Sequence, residues 1–489
     1  MENEVADLLA ITGPAFSSTI VERLMREGIS QEAARKRVSR ARGVVRRLEG
    51  LNFPNREQFL FLSKQSRTQD FREKLIAALQ NSGTSYGRAL VALQSRRGAI
   101  PSLHFPGASG LPVEDTKGQL LCSQVLDQLQ KLGLLTRTST PEGDIIGLKD
   151  SPLLSNRRSA ALIVEDVTLS VMKPWLVNLG WTSSGVLALR SANTAPKFGQ
   201  YRFDLVGPTY LRALTDFRRG RLINGFIIAD ILLDREITLT DLGPFFSKLA
   251  VLVNQKRSTR LQPMFIADGF EYEALNQLRA KGCMVARPET IFGVDIASQL
   301  RELINTIEHA AVALTRDTEG VFRLLGKIAK LEGSSLNLRG VVLELIVAHL
   351  FQFDGYNIDI RRQIRSKGGD AAEIDVMASN RKEVICVECK GKSPGRLVGV
   401  DEIQTWIRTT IPRIRSWLNS RNDFPARRYF KFYASTGYED EAIALIETIR
   451  ESSRDQSIRF YEGKDVILQL RENKEASLID IFREHFGQE

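Results

Sequence analysis

Residues 373–392, EIDVMASNRKEVICVECKGK, constrain the C-terminal third of the chain more than any other stretch. Two apolar runs, at 374–378 and 384–389, flank a polar turn at 379–382, the spacing of a β-hairpin. The run Val384-Ile385-Cys386-Val387 is too continuously apolar for a strand with one face in water, so the pair belongs in a covered sheet. Side chains alternate along a strand, which puts Glu388 and Lys390 on one face and Cys389 on the other, with Asp375 arriving from the neighbouring strand. A Glu and a Lys closing so apolar a strand are costly without partners or a metal. The competing reading, an exposed hairpin with an ordinary surface pair of Glu388 and Lys390, does not account for that run.

Two carboxylates and one ammonium at a sheet edge suit phosphodiester hydrolysis. Carboxylate oxygens are hard ligands for Mg²⁺, the ion polarises a phosphate and acidifies a water, and a nearby cation steadies the attacking water. Asp375 followed by Glu388-Cys389-Lys390 resembles the PD-(D/E)xK (restriction-endonuclease-like) nuclease superfamily, over residues 335–489. The resemblance implies a catalytic set of Asp375, Glu388 and Lys390, joined by Glu344 from the upstream helix RGVVLELIVAHLF and Gln404 from the helix DEIQTWIRTTI. Asp375, Glu388 and Glu344 would hold Mg²⁺, with Mn²⁺ as a substitute. Lys390 would assist the water, and Gln404 would orient Lys390 or the substrate. Glu373 shares a face with Asp375 and could add a carboxylate. Glu344 has a second reading, an ion pair with Arg339 or Arg365 inside an apolar stretch. The chain departs from the family at Ile374, where a Pro is loosely kept, and at Arg408, where a Tyr would follow Gln404 by four residues.

Residues 1–68 read as a winged helix-turn-helix: a helix at 15–27, a second opened by Ser30 and closed by Gly43, then two strand-like segments around a Pro54-Asn55 turn. In the second helix Ala34, Val38 and Ala41 form the apolar stripe, while Arg35, Lys36, Arg37, Arg40 and Arg42 crowd the other faces. That helix is expected to face DNA; the alternative is a solvated face in a protein-binding module. Arg408, with Arg413 and Arg415, adds phosphate contacts beside Gln404. Trp406 and Trp417 read as core rather than base-stacking platforms. Residues 69–157 read as a second winged-helix-like module, with a helix around 121–129 and a Pro141-Glu142-Gly143 turn between short strands.

From 158 to 295 helices and strands alternate as in an α/β domain, and a helical connector at 296–334 leads to the C-terminal domain at 335–489. The two α/β regions look like a duplication. PMFIADGFEYEALNQL (263–278) parallels KFYASTGYEDEAIALI (431–446), FDLVG parallels IDVMA, and GFIIADIL parallels EVICVECK. Asp204 then falls at Asp375, Asp230 at Glu388 and Leu232 at Lys390, which keeps acids and loses the cation, the mark of a degenerate nuclease-like domain. Chance similarity between common strand-turn-helix units is the competing account.

The expected fold class is therefore multidomain α+β and α/β: N-terminal winged-helix modules, a degenerate restriction-endonuclease-like α/β domain and a C-terminal restriction-endonuclease-like one. A net charge of +10 fits an anionic partner. The acidic start MENEVADLLAITG does not read as a secretory signal and predicts a cytoplasmic, nucleoid-associated protein. Cys386-x-x-Cys389 lies within a strand rather than on a turn, which disfavours zinc, and the isolated histidines disfavour a His-dependent nuclease. The expected function is a Mg²⁺-dependent deoxyribonuclease, an endonuclease acting on duplex DNA. Modules fused ahead of such a domain are similar to type IIS restriction enzymes and bacterial anti-phage defence nucleases, an analogy only. Double-strand cleavage favours a homodimer, and an accessory protein is a further candidate partner. The rivals are a non-cleaving DNA-binding regulator or assembly subunit, and an RNA nuclease, since such a metal site does not itself distinguish the sugars.

Overall fold

The structure, a computed structural model, describes residues 2–487 apart from 52, 67, 116–117, 184, 192, 219, 255–259, 333–335, 366–369, 422 and 453–456. At the N-terminus α1 (Glu2–Thr12), β1 (Ala15–Phe16), α2 (Ser17–Arg26), α3 (Gln31–Arg40), β2 (Val45–Arg47) and β3 (Phe59–Leu62) build a three-stranded antiparallel sheet of order β1-β3-β2. Ala15 and Phe16 pair with Leu60 and Phe59, so the helix expected from 15 starts instead at Ser17. The Ser30 hydroxyl caps α3 by accepting from the Ala33 N–H at 3.4 Å. Ala34, Val38 and Ala41 are buried against Leu9, Ile20 and Leu60, the core that the helical spacing required.

A second group repeats that strand order. It comprises α4 (Gln69–Asn81), α5 (Ser85–Gln94), β4 (Ala99–Pro101), α6 (Phe105–Ser109), α7 (Cys122–Lys131), β5 (Leu135–Thr140) and β6 (Gly143–Leu148), with sheet order β4-β6-β5. Val125 and Leu129 of α7 pack on Leu90, Leu93 and Ile146.

Two five-stranded sheets follow. The first has α8 (Asn156–Asn178), β7 (Ala188–Leu189), β8 (Leu205–Thr209), β9 (Gly225–Ile231), α9 (Gly243–Asn254), β10 (Leu261–Ile266), α10 (Tyr272–Ala280) and β11 (Met284–Ala286). Helices α11 (Val294–Glu308) and α12 (Ala310–Glu332) then lead to the second. It has α13 (Leu336–Phe353), β12 (Asn357–Arg365), β13 (Ala371–Ser379), β14 (Glu383–Lys390), α14 (Val400–Thr405), α15 (Ile411–Asn419), β15 (Arg427–Ala434), α16 (Asp440–Ser452), β16 (Ile458–Tyr461), α17 (Gly463–Glu472) and α18 (Ala476–Phe486).

In each sheet the strands lie side by side in chain order. The first three are antiparallel and the last two add in parallel, each through a helical crossover as parallel pairing requires. The topologies are the same, which favours duplication over chance. The sheets also share one apolar cluster, running from Ala160 and Val164 of α8 through Leu303 and Leu325 to Ile346, Phe482 and Phe486. One apolar cluster thus spans the two α/β regions on either side of the expected connector, whose expected end at 335 lies outside the described residues. No helix among the described residues is long and apolar enough to cross a membrane.

Candidate catalytic cleft

The pairs Met377↔Cys386 and Val376↔Val387 fix the register of β13 on β14, which sets Asp375 across from Glu388. One Asp375 oxygen accepts the Cys389 N–H at 2.7 Å, and Lys390 Nζ donates to Glu388 Oε1 at 2.6 Å. Glu388 is buried, at 6% exposure, whereas Asp375 and Lys390 are half-buried at the cleft. Burial, followed by the Glu388 and Glu344 charges, raises the Asp375 carboxyl well above the usual carboxylate range. Burial works against the Lys390 ammonium, but Glu388 and Asp375 outweigh it and hold its pKa above the ordinary lysine value. Gly391 carries the chain past α13 so closely that a Cβ there would meet the Arg339 carbonyl oxygen at 2.5 Å. That approach seats the end of β14 against the helix bearing Glu344.

Glu344 is 5% exposed and takes two hydrogen bonds from one guanidinium, Arg361 Nε at 2.6 Å and Nη2 at 2.8 Å. The ion pair foreseen for Glu344 is thus present with a different arginine. Arg339 instead donates to the His485 carbonyl and to Ser393, and Arg365 to Thr138. Arg361 lies within β12 between the pairs Ile360↔Val376 and Arg362↔Ile374, so it sits across from Asp375, with φ 55. Left-handed backbone costs a non-glycine residue about 1–2 kcal/mol, so the bidentate pair offsets a local strain. Glu373 lines the same cleft and bonds Gln363; burial, opposed by Arg361, pushes its carboxyl up to about 7.

The cleft encloses about 480 Å³, and its lining joins Glu344, Arg361, Glu373, Asp375 and Lys390 to groups from far upstream. Thr140, Glu142, Gly143 and Asp144 come from the β5–β6 turn, His104 from just before α6 and Asp166 from α8. Glu142 is exposed as a residue, yet its carboxyl stands among cleft groups: burial raises its pKa, Glu388 adds to that and Lys390 opposes it.

The middle sheet repeats the acidic part of the arrangement. Leu205↔Ala229 sets Asp204 across from Asp230, and Leu205↔Leu189 sets Arg190 across from Asp204, as Arg361 faces Asp375. One Asp204 oxygen accepts the Ile231 N–H at 2.8 Å, the counterpart of the bond from Cys389 to Asp375. From α8, Glu165 and Asp166 both bond Arg190, as Glu344 bonds Arg361.

The cation expected to be lost is supplied elsewhere. Leu232 does occupy the Lys390 place, but Lys248 of α9 reaches Asp230 at 2.5 Å and also donates to the carbonyls of Gly107 and Arg202. Burial would raise the Glu165 carboxyl, but Arg158 and Arg190 overcome it and hold it down at about 2. Asp230 is raised to about 6 by burial despite Lys248. With Arg158, Arg190 and Lys248 buried among Glu165, Asp166 and Asp230, this site is internally neutralised.

Other expected residues lie apart. Gln404 is half-buried on α14 and is not among the residues lining the cleft, whereas Lys392, paired with Glu402 at 2.7 Å, is. Arg408 is exposed on a π-helical turn between α14 and α15. Trp406 and Trp417 are buried in the core. On α3, Arg35, Lys36 and Arg40 are exposed and Arg37 is half-buried against Glu4, while Arg42, expected on the same helix, is exposed just past its end. Lys36 pairs with Glu32 at 2.7 Å, and Arg42 bonds the carbonyls of Ser39 and Ala41. Arg361, Glu142 and Lys248 escaped the sequence reading. Arg361 alone had a local signal, the charged run Arg361-Arg362 inside an otherwise strand-like segment.

Among the described residues no three His, Cys, Asp or Glu side chains converge as a preformed metal cage. The reason lies in the pairs above: Glu344 is turned to Arg361, Glu388 to Lys390 and Asp375 to a backbone N–H. By donor chemistry Asp375 and Glu388 suit a hard divalent cation, whereas Glu344 does not while Arg361 holds both its oxygens.

No protein-family model matches the chain, and no curated protein matches it. A crystal structure titled as a protein of unknown function, AF1548, is 17% identical, covering 27% of this chain and 67% of its own, with a TM-score of 0.21. A likeness at that level carries no argument about fold or function.

Proposed function

We propose that the chain is a divalent-metal-dependent deoxyribonuclease of the PD-(D/E)xK type, in which residues 335–489 cut and the N-terminal groups, read as winged helices, hold DNA. The observation that supports this most is the cross-strand pair of Asp375 and Glu388 with Lys390 two residues on, all at one end of a mixed sheet. Asp375 and Glu388 would hold Mg²⁺, which when bound supplies charge neutralisation at the phosphate and a more acidic water. Lys390, kept protonated by its neighbours, donates toward the attacking water or the phosphate. Asp375 is oriented by the Cys389 N–H, and Arg361 fixes Glu344 beside it. The middle sheet, its acids neutralised by Arg158, Arg190 and Lys248, serves as a partner and scaffold rather than a second cutter.

The self-pairing of the acids favours one other reading, a DNA-binding subunit that does not cut. Incubation of supercoiled plasmid, linear duplex and single-stranded DNA with Mg²⁺ or Mn²⁺ separates the two. Scission by wild type and none by Lys390→Ala or Asp375→Ala supports the nuclease; DNA binding without scission under either metal rejects it. An RNA arm tests which sugar is accepted.

A further inference from the structure

The β5–β6 hairpin, an element of the N-terminal half, lies on the C-terminal sheet. Strand β5 packs along β13. Arg413 Nη1 bridges the two by donating to the Ser139 carbonyl at 3.3 Å and the Ala371 carbonyl at 2.8 Å, and Arg365 reaches the Thr138 hydroxyl at 3.4 Å. So braced, the turn at Pro141-Glu142-Gly143 enters the cleft that holds Asp375 and Lys390. With the turn in place the cleft holds about 480 Å³. The group the turn carries in is the Glu142 carboxyl, which lines the cleft together with Lys390 and, when ionised, has the charge and acceptor oxygens of a phosphodiester.

Resting on the nuclease reading of this cleft, we propose that the β5–β6 hairpin is a built-in plug in which Glu142 holds the place of the substrate phosphate beside Lys390. The hairpin must swing off β13 before nucleic acid enters. The polar ties between hairpin and sheet are side-chain contacts rather than ladder bonds: Arg413 to the carbonyl of exposed Ser139 and Arg365 to the hydroxyl of buried Thr138. A phosphate that reaches Lys390 only when the hairpin is off β13 binds the open state alone and shifts the balance toward it.

Amide hydrogen exchange of the full chain tests the movement without requiring cleavage. With Ca²⁺ in place of Mg²⁺ and a saturating 30-base-pair duplex, residues 135–148 should exchange at least several-fold faster than in the free protein. Unchanged or slower exchange there overturns the plug, whatever the cleavage assay shows. The activity arm uses Glu142→Gln and Arg413→Ala, both expected to raise the initial cleavage rate about five-fold or more and to lower KM. Equal or lower rates with intact thermal stability overturn it as well. Absence of cleavage in wild type and variants alike counts against the nuclease reading, and the exchange result then decides the hairpin's movement separately.

Discussion

Lys248 Nζ meets the Asp230 carboxylate at 2.5 Å from a helix, whereas Lys390 meets Glu388 at 2.6 Å from the strand itself. The two sheets thus reach the same acid-cation contact by different routes, and the middle one is sealed: Lys248 is fully buried. Lys248→Met leaves Asp230 without its ammonium, and denaturant unfolding should show a loss of about 3–5 kcal/mol. Adding Asp230→Leu should recover most of that loss. A double variant no more stable than Lys248→Met would refute the pairing account.

Arg361 is expected to be equally costly to remove. Arg361→Ala strands Glu344 in an apolar helix and should destabilise the chain by roughly 3–5 kcal/mol. Arg361→Gly loses the same ion pair but relieves the left-handed backbone, so it should be about 1 kcal/mol more stable than the alanine variant. Equal stabilities for the two would show that φ 55 carries no strain.

Asp375→Asn is predicted to stabilise while it inactivates. Its carboxyl is crowded by Glu388 and Glu344, and an amide oxygen still accepts from Cys389, so relief of like-charge repulsion should add about 1 kcal/mol. A higher Tm with no plasmid cleavage is the expected pair of results. A lowered Tm would mean that the carboxylate is paired with a cation in the folded chain.

His104 supplies a pH signature of folding. Its Nε2 lies 2.9 Å from the Ser191 carbonyl, and burial, then Arg190, lowers its pKa from 6.5 to about 4. As pH falls the unfolded chain takes up this proton first. The neutral ring's contribution is therefore complete above pH 6.5, declines between 6.5 and 4, and levels off below. The loss should approach on the order of 3 kcal/mol. Unfolding midpoints at pH 7 and 5 should differ less in His104→Gln than in wild type.

Arg35 and Arg40 test the proposed nucleic-acid face. Both are exposed, so Arg35→Ala and Arg40→Ala should leave Tm unchanged. Each should reduce the slope of log K against log salt for duplex DNA by about 1. Arg37→Ala should instead lower Tm, because Arg37 ties α3 to Glu4 of α1. Salt slopes identical to wild type in all three would move DNA binding elsewhere.

What the sequence made legible was local. The alternation in 373–390 placed Asp375, Glu388 and Lys390 at one sheet edge because register follows from strand parity. The buried stripe of Ala34, Val38 and Ala41 followed from helical spacing. Lys248 and Arg361 were not legible, because each acts through a contact across the fold: one reaches into a sheet from a helix, the other depends on the pairing of β12 with β13. Glu142 was harder still. A Pro-Glu-Gly turn looks the same whether it faces water or a cleft formed by residues more than two hundred positions away. The apolar cluster common to both sheets was not legible either, because residues on α8, α11 and α13 serve both at once, and composition does not report which neighbours a helix will choose.

The core shared by the two sheets also sets the order of events at the ribosome. Elongation at ~5–20 residues per second leaves Ala160 and Val164 of α8 waiting tens of seconds for Phe482 and Phe486 to emerge. During that interval the nascent chain exposes sticky surface that a chaperone can hold, and the cleft, whose walls come from both halves, has not yet assembled. Completion of the cleft is thus deferred to the end of translation by chain connectivity alone.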